Sequence, residues 1–169
     1  MNLPTLLLSP LGAGLLWATA CDLRRRRIPN AVSALVFVSG LGVSAYLHGT
    51  LALGSGLAAS FALLAMLFPA WRAGGIGGGD VKLAAAVGAW VGLAHLVWFI
   101  LATALAGGVV AAAVYLFASP AARAEVKANL VLASAHGQMP DVPSHRKGHL
   151  SVPYAVAISA GAAVALLVA

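Results

Sequence analysis

Charge is what this chain has least of. Of its 169 residues 8% are charged, against roughly a quarter in an average soluble domain, while 62% are hydrophobic and the mean hydropathy is +0.97. That excludes an ordinary soluble globular domain and implies a polytopic membrane protein of the all-α class. The apolar runs are continuous rather than alternating, so a lipid-facing β-barrel, the other architecture that satisfies backbone polar groups in lipid, is excluded as well. Cysteine is nearly missing: the single Cys21 rules out an internal disulfide and a thiolate zinc cluster within one chain, and reads as a small apolar residue at a helix end. Acids are scarce too, with Asp22, Asp80, Glu125 and Asp141 set against ten Lys and Arg. The net charge of +6 does not indicate nucleic-acid binding, because the basic residues sit at the ends of apolar runs, where they set topology.

No basic residue precedes the first apolar run and no small-x-small cleavage site follows it, so residues 3–21 are expected to be a retained span rather than a secretory signal. Arg24, Arg25, Arg26, Arg27, Ile28, Pro29 and Asn30 make a tight polar loop, with Pro29 breaking the helix and Asn30 placed to cap the next one. Further spans are expected at 31–47 and 51–69, joined by the short turn at His48, Gly49 and Thr50. Trp71 and Arg72 follow as interfacial anchors. The uncharged run from Val81 to Ala118 is too long for one span of about 20 residues. It is divided near residues 92–95 into spans 81–91 and 96–117. Residues 121–133 suit an amphipathic helix on the membrane surface, residues 136–149 a solvated loop, and residues 151–169 the sixth span, with Pro153 tolerated in its first turn. The chain is thus expected to form one membrane-embedded domain over 1–169, with a polar loop at about 119–150. All the basic residues then fall on one side, which the positive-inside rule makes cytoplasmic, with both termini outside.

The glycine-rich stretch at residues 74–82 ends in Asp80, Val81 and Lys82, and Asp22 closes the first span at the same expected depth. Taken singly, Asp22 reads equally well as an interfacial acid pairing with Arg25 or Arg26, and Asp80 as a helix cap. Together they suggest more, since an ionisable residue at the edge of lipid is costly to hold there. Two neighbouring carboxylates share a proton, so that one acts as base toward water and the other as acid toward a scissile carbonyl. Gly77, Gly78 and Gly79 permit close approach of an extended peptide. They are the candidate substrate-binding residues with Lys82, itself read first as a snorkelling anchor. Helix dipoles favour Asp80, at a helix N-terminus, as the ionised member and Asp22, at a C-terminus, as the proton holder. The glycines are not a nucleotide loop, because no Ser or Thr follows Lys82 and no strand precedes them. His136, Asp141, His145 and His149 lie among prolines and cations that oppose a metal, and no metal or other cofactor is expected. Gly54, Ser55 and Gly56 resemble a serine-protease motif only faintly, and no motif supports His48 or His95 as a base.

Three motifs in order carry a family resemblance: Asp22 with Arg27-Ile28-Pro29-Asn30, then Gly77-Gly78-Gly79-Asp80-Val81-Lys82-Leu83, then Val152-Pro153-Tyr154-Ala155-Val156-Ala157-Ile158 with Gly161. In these the chain resembles the prepilin peptidases, the GxGD membrane aspartic proteases also called type IV leader peptidases. It is most similar to the compact peptidases of Flp-type tight-adherence pili. The resemblance implies Asp22 and Asp80 as the catalytic pair, and prepilin or pseudopilin precursors as substrates. Cleavage would fall at the cytoplasmic face of the inner membrane, between a basic leader and an apolar helix, with membrane lipid as the other partner. Larger relatives also methylate the new N-terminus and carry a four-cysteine domain that has no counterpart here, so methyl transfer is not expected. Glu125 and Asp141 are the remaining acids available to meet a basic leader. The competing class is a small transporter or proton conduit using the same acids. It predicts acids deep within the spans and internal repeat symmetry, and the sequence contains neither. A structural scaffold is a third class, and it gives the loop glycines no reason to lead into an aspartate.

Overall fold

The computed structural model describes residues 9–124, 126–127, 131 and 152–168. Every regular element among them is helical: α1 Pro10–Arg25, α2 Asn30–Arg72, α3 Gly78–Leu116 and α4 Tyr154–Val168. Each terminus has a local cause. Ser9 caps α1 by accepting the Gly12 N–H at 3.1 Å, Pro10 begins the helix, and Arg26 ends it in the left-handed region at φ 51°. Arg24 and Arg25 occupy the last turn, where a cation suits the helix dipole. The helix therefore runs through the first arginines, past the end expected at residue 21, and Asp22 lies inside it. The beginning of the expected first span, residues 3–8, lies outside the described residues.

α2 and α3 are each two helices that abut with no intervening loop, broken at one residue, Gly49 (φ 79°, ψ −169°) and Gly92 (φ 61°, ψ −176°). Both conformations are essentially reserved for glycine, and both breaks fall where the sequence places turns. The chain doubles back at each. Ser44, before Gly49, donates to the Ala89 carbonyl at 3.1 Å, while Gly56, after it, lies against the Ala89 backbone. Past Gly92, residues Phe99 to Ala111 return beside the segment that carries Asp80. Among the described residues this gives six helical segments, α1, residues 30–48, 50–72, 78–91 and 93–116, and α4, besides the helical residues from Pro120. The segment 50–72 carries Pro69 within its last turn and continues to Arg72. Only one intrahelical bond is lost there, and the fixed φ of proline is helical, so the expected end at 69 is passed.

Residues 81–91 form the centre of the molecule, with Val81, Leu83, Val87 and Val91 buried together with the alanines between them. Small residues make this possible. A Cβ on Gly88 would meet the Ser60 backbone at 2.9 Å and one on Gly56 the Ala89 carbonyl at 2.8 Å, the close backbone crossing that small residues permit in lipid-embedded helices. The Trp90 indole N–H donates to the Val36 carbonyl at 2.8 Å and locks the neighbouring segment. On the other flank α4 packs on residues 93–116, and α1 joins α4 through a 3.0 Å hydrogen bond between the Thr19 and Ser159 hydroxyls. Large apolar side chains face outward over much of the surface, among them Leu51, Leu105, Val109 and Phe117. α2 and α3 are each long and apolar enough to cross a membrane.

The amphipathic helix expected at 121–133 lies partly outside the described residues; helix resumes at Pro120. There the Arg123 guanidinium donates from Nε to the Ala118 carbonyl at 3.0 Å and lies 5.9 Å from the Tyr115 ring centroid, closing the end of α3. The loop expected at 136–149, with His136, Asp141, His145 and His149, lies outside the described residues, as does Glu125.

Candidate active site

Asp22, Asp80 and the start of α4 meet at one end of the molecule. Asp22 lies in the last turns of α1, where arginines follow it into the polar loop, yet its own side chain is only 7% exposed. A carboxylate buried to that extent needs a hydrogen-bond donor, and α4 provides one: the Ala155 N–H donates to Asp22 Oδ2 at 3.3 Å. Ala155 is in the first turn of α4, where backbone N–H groups have no partner within the helix. Asp22 thus does for α4 what a capping side chain does, but from another helix.

Asp80 lies in the first turn of α3, where Gly77 is the N-cap residue. Its side chain folds back over that glycine: a Cβ on Gly77 would come within 2.7 Å of Asp80 Oδ2. The two carboxylates are near enough that the charge of Asp22 acts on Asp80. Asp80 also borders a cavity of about 420 Å³ whose other walls include Leu67, Phe99, Thr103, Tyr154 and Ile158. Tyr154 and Ala155 are adjacent, so the start of α4 touches the Asp80 cavity with one residue and holds Asp22 with the next.

The remaining sequence candidates have distinct surroundings. Gly77 is exposed, a Cβ on Gly78 would stand 3.1 Å from the Trp71 indole nitrogen, and one on Gly79 would stand 3.2 Å from Ile28 Cβ. Close approach is therefore required here by the protein's own side chains, whatever else the glycines admit. Lys82 lines a separate groove of about 460 Å³ with Ser33, Phe37 and Ser60, on another side of α3 from Asp80. Its Nζ donates to Asn30 Oδ1 at 3.0 Å. Asn30 is accordingly not the cap expected of it. It is the first residue of α2, the N-cap position belongs to Pro29, and no side-chain capping bond is made. A carboxamide oxygen offered an ammonium donor takes it in preference to a backbone N–H.

Helix dipoles do not distinguish the two carboxylates in the way expected from the sequence. Asp80 faces the N-terminus of α3, but Asp22 faces the N-terminus of α4 in addition to the C-terminus of its own helix. The sequence held no sign of this, because a backbone N–H is the same at every non-proline position. Among the described residues no cluster of three or more His, Cys, Asp or Glu is arranged to hold a metal ion.

The fold and site therefore define an all-helical protein in which one buried carboxylate and one half-buried carboxylate lie at helix ends, the latter beside an apolar cavity. Comparison with family models matches residues 10–112 to the type IV leader peptidase family. The match covers more than half of the chain, including Asp22 and Asp80, and the chain belongs to that family. It is a protease, and its long apolar helices together with this membership mark it as a membrane protein. Comparisons with curated proteins and with solved structures find no match.

Proposed function

We propose that this protease is an aspartic endopeptidase of the inner membrane that removes the leader from type IV prepilins or pseudopilins of the Flp type, with Asp22 and Asp80 as its catalytic pair. The observation that carries the reading is the convergence at α4, where Ala155 holds Asp22 while Tyr154 borders the cavity that contains Asp80. Water bound between the carboxylates gives its proton to the ionised member as its oxygen attacks the scissile carbonyl. The protonated member transfers its proton to the carbonyl oxygen as the C–O bond forms, giving the neutral tetrahedral diol. Collapse of the diol breaks the C–N bond as the carboxyl that took the water proton gives it to the leaving amine and a diol hydroxyl returns its proton to the other carboxylate, and no covalent enzyme intermediate forms. The apolar cavity beside Asp80 suits a cleavage junction that leads directly into an apolar helix.

In this reading the chain crosses the membrane six times with both termini outside and the dyad lies at the cytoplasmic face, which is supported by the basic residues flanking the odd-numbered loops of the sequence. Gly77, the exposed member of the glycine run, offers the peptide its closest backbone approach. The test is cleavage of a co-expressed Flp-type prepilin, scored by gel shift and by the N-terminal sequence of the product. Wild type is expected to cut at the leader junction, and a precursor left intact by well-expressed wild type rejects the reading. The rate should rise with pH as one carboxylate ionises and fall as the second does, because only the singly protonated pair is competent. A profile with a single limb is the contrary result.

A further inference from the structure

We infer that Asn30 and Lys82 are a positioning pair that holds the segment carrying Asp80 in register with the helix carrying Asp22; the inference rests on those two carboxylates being the reacting pair. Asp22 and Asp80 belong to different helices and are not hydrogen-bonded to each other, so something else must set their separation. The loop leaving α1 does so at two points. Ile28 stands against Gly79, where a Cβ would approach its own Cβ to 3.2 Å, and Asn30 accepts from Lys82 at 3.0 Å. These contacts fall on either side of Asp80, one residue before it and two after.

The loop itself is stiff. Arg26 turns in the left-handed region with its N–H on the Asp22 carbonyl at 2.9 Å, and Pro29 is fixed at φ −63°. Asn30 is thereby tied to the last turns of α1, and through Lys82 to the first turns of α3. The pairing is chemically specific. Lysine has only donors, so it selects the oxygen of the carboxamide and fixes its orientation. Lys82 faces Asn30 and the groove at Ser33 rather than the cavity that Asp80 borders. Its role is therefore to place Asp80, and it acts on the reaction through that residue. Misplacement of a reacting group by about 1 Å costs up to ~100-fold in rate, and loss of one of two restraints is expected to cost about tenfold.

The experiment compares Asn30→Ala, Lys82→Met, the double variant, Asn30→Asp and Lys82→Arg with wild type, using purified protein and a prepilin cut by wild type. Each disrupting single variant should lower kcat about tenfold while KM stays within about twofold. The double variant should be no slower than either single one, since both break the same restraint. Asn30→Asp, which retains an oxygen acceptor, should restore most of the rate. A readout independent of catalysis is disulfide formation between Ile28→Cys and Gly79→Cys in a Cys21→Ala background, because their Cβ separation of 3.2 Å is close to the ~3.5–4.5 Å that a disulfide spans. Adding Asn30→Ala should slow this cross-link severalfold. A raised KM with unchanged kcat would assign Lys82 to substrate binding and overturn the inference, as would additive losses in the double variant. Wild type that cuts no prepilin overturns the dyad reading and this role with it. Wild type that cuts normally, with cross-linking rates equal in the presence and absence of Asn30, overturns the positioning pair alone.

Discussion

At one end of the molecule, α2 and α3 each reverse on a single glycine, and the reversals are joined by a Ser55 hydroxyl that accepts the Leu93 N–H at 2.9 Å. The other end brings together Asp22, Asp80, Asn30, Lys82 and the first turn of α4. Among the described residues the first end carries no acid, and it relies on backbone geometry with one hydroxyl between the reversals. The second uses side chains reaching between helices, and its acids are the two that interact. Closing a hairpin needs only a permitted φ and a satisfied N–H, whereas positioning two carboxylates needs restraints from several directions. Substitutions at the glycine end are therefore expected to change stability while leaving chemistry intact, and those at the aspartate end to do the reverse.

The largest effect tests the second half of that statement. Asp22→Asn and Asp80→Asn each keep the side-chain shape and remove one titrating group, so each should lower prepilin cleavage by at least about a hundredfold. The thermal midpoint in detergent should hold within a few degrees for Asp80→Asn. Asp22→Asn retains an oxygen for the Ala155 N–H but not the charge, so a modest decrease is expected. Cleavage by either variant at near wild-type rate would remove the functional difference between the two ends.

Next in size is the close crossing in the middle of the bundle. Gly88→Val places branched carbons where a Cβ alone already approaches the Ser60 backbone to 2.9 Å. Backbone cannot move aside as a flexible side chain does, and an overpacked core typically costs about 1–3 kcal/mol or more. The thermal midpoint should drop sharply, with activity lost in proportion to the folded fraction. An unchanged midpoint would mean that the segments 50–72 and 78–91 do not cross as closely as described.

Much of the glycine end was readable from the sequence, and for a physical reason. His48, Gly49 and Thr50 mark a turn between two apolar runs, and the run from Val81 to Ala118 exceeds one span, so the break near Gly49 followed from turn residues and the one near Gly92 from length. Asp22 and Asp80 were also legible as candidates, since acids are rare in this composition. What they touch was not. The Ala155 N–H has no signature in a sequence, and the partner of Asn30 depends on a helix packing that periodicity does not encode. Asn30 followed by an apolar run satisfies the local rule for a cap, yet the ammonium of Lys82, distant in sequence, takes its oxygen. The arginines after Asp22 marked the end of the apolar run correctly but not the end of the helix, because cations are welcome in a last turn.

The two reversals are themselves unequal, and alanine substitution should separate them. Gly49 has open space around the position of a Cβ, so Gly49→Ala incurs conformational strain alone, about 1–3 kcal/mol. A Cβ on Gly92 would also press to 2.9 Å on Ser55 Oγ and disturb the hydroxyl that accepts the Leu93 N–H. Gly92→Ala should therefore destabilise more than Gly49→Ala in thermal unfolding. Equal shifts would reduce the Ser55 contact to a bystander.

Ser55→Ala isolates that contact and gives the smallest expected effect. Leu93 begins the returning segment after Gly92, and the Ser55 hydroxyl meets its otherwise unpaired N–H as an N-cap would, although it comes from the neighbouring helix. Loss of a capping hydroxyl costs about 1 kcal/mol, and the thermal midpoint should fall by a few degrees. Cleavage should be unaffected, because the rate depends on the register of Asp22 and Asp80 at the far end, and that register is held by contacts of the α1 loop and α4 in which Ser55 has no part. A rate that falls with the midpoint unchanged would instead mean that the two ends are mechanically coupled through the segment 78–91, the helix that runs from Asp80 to Gly92.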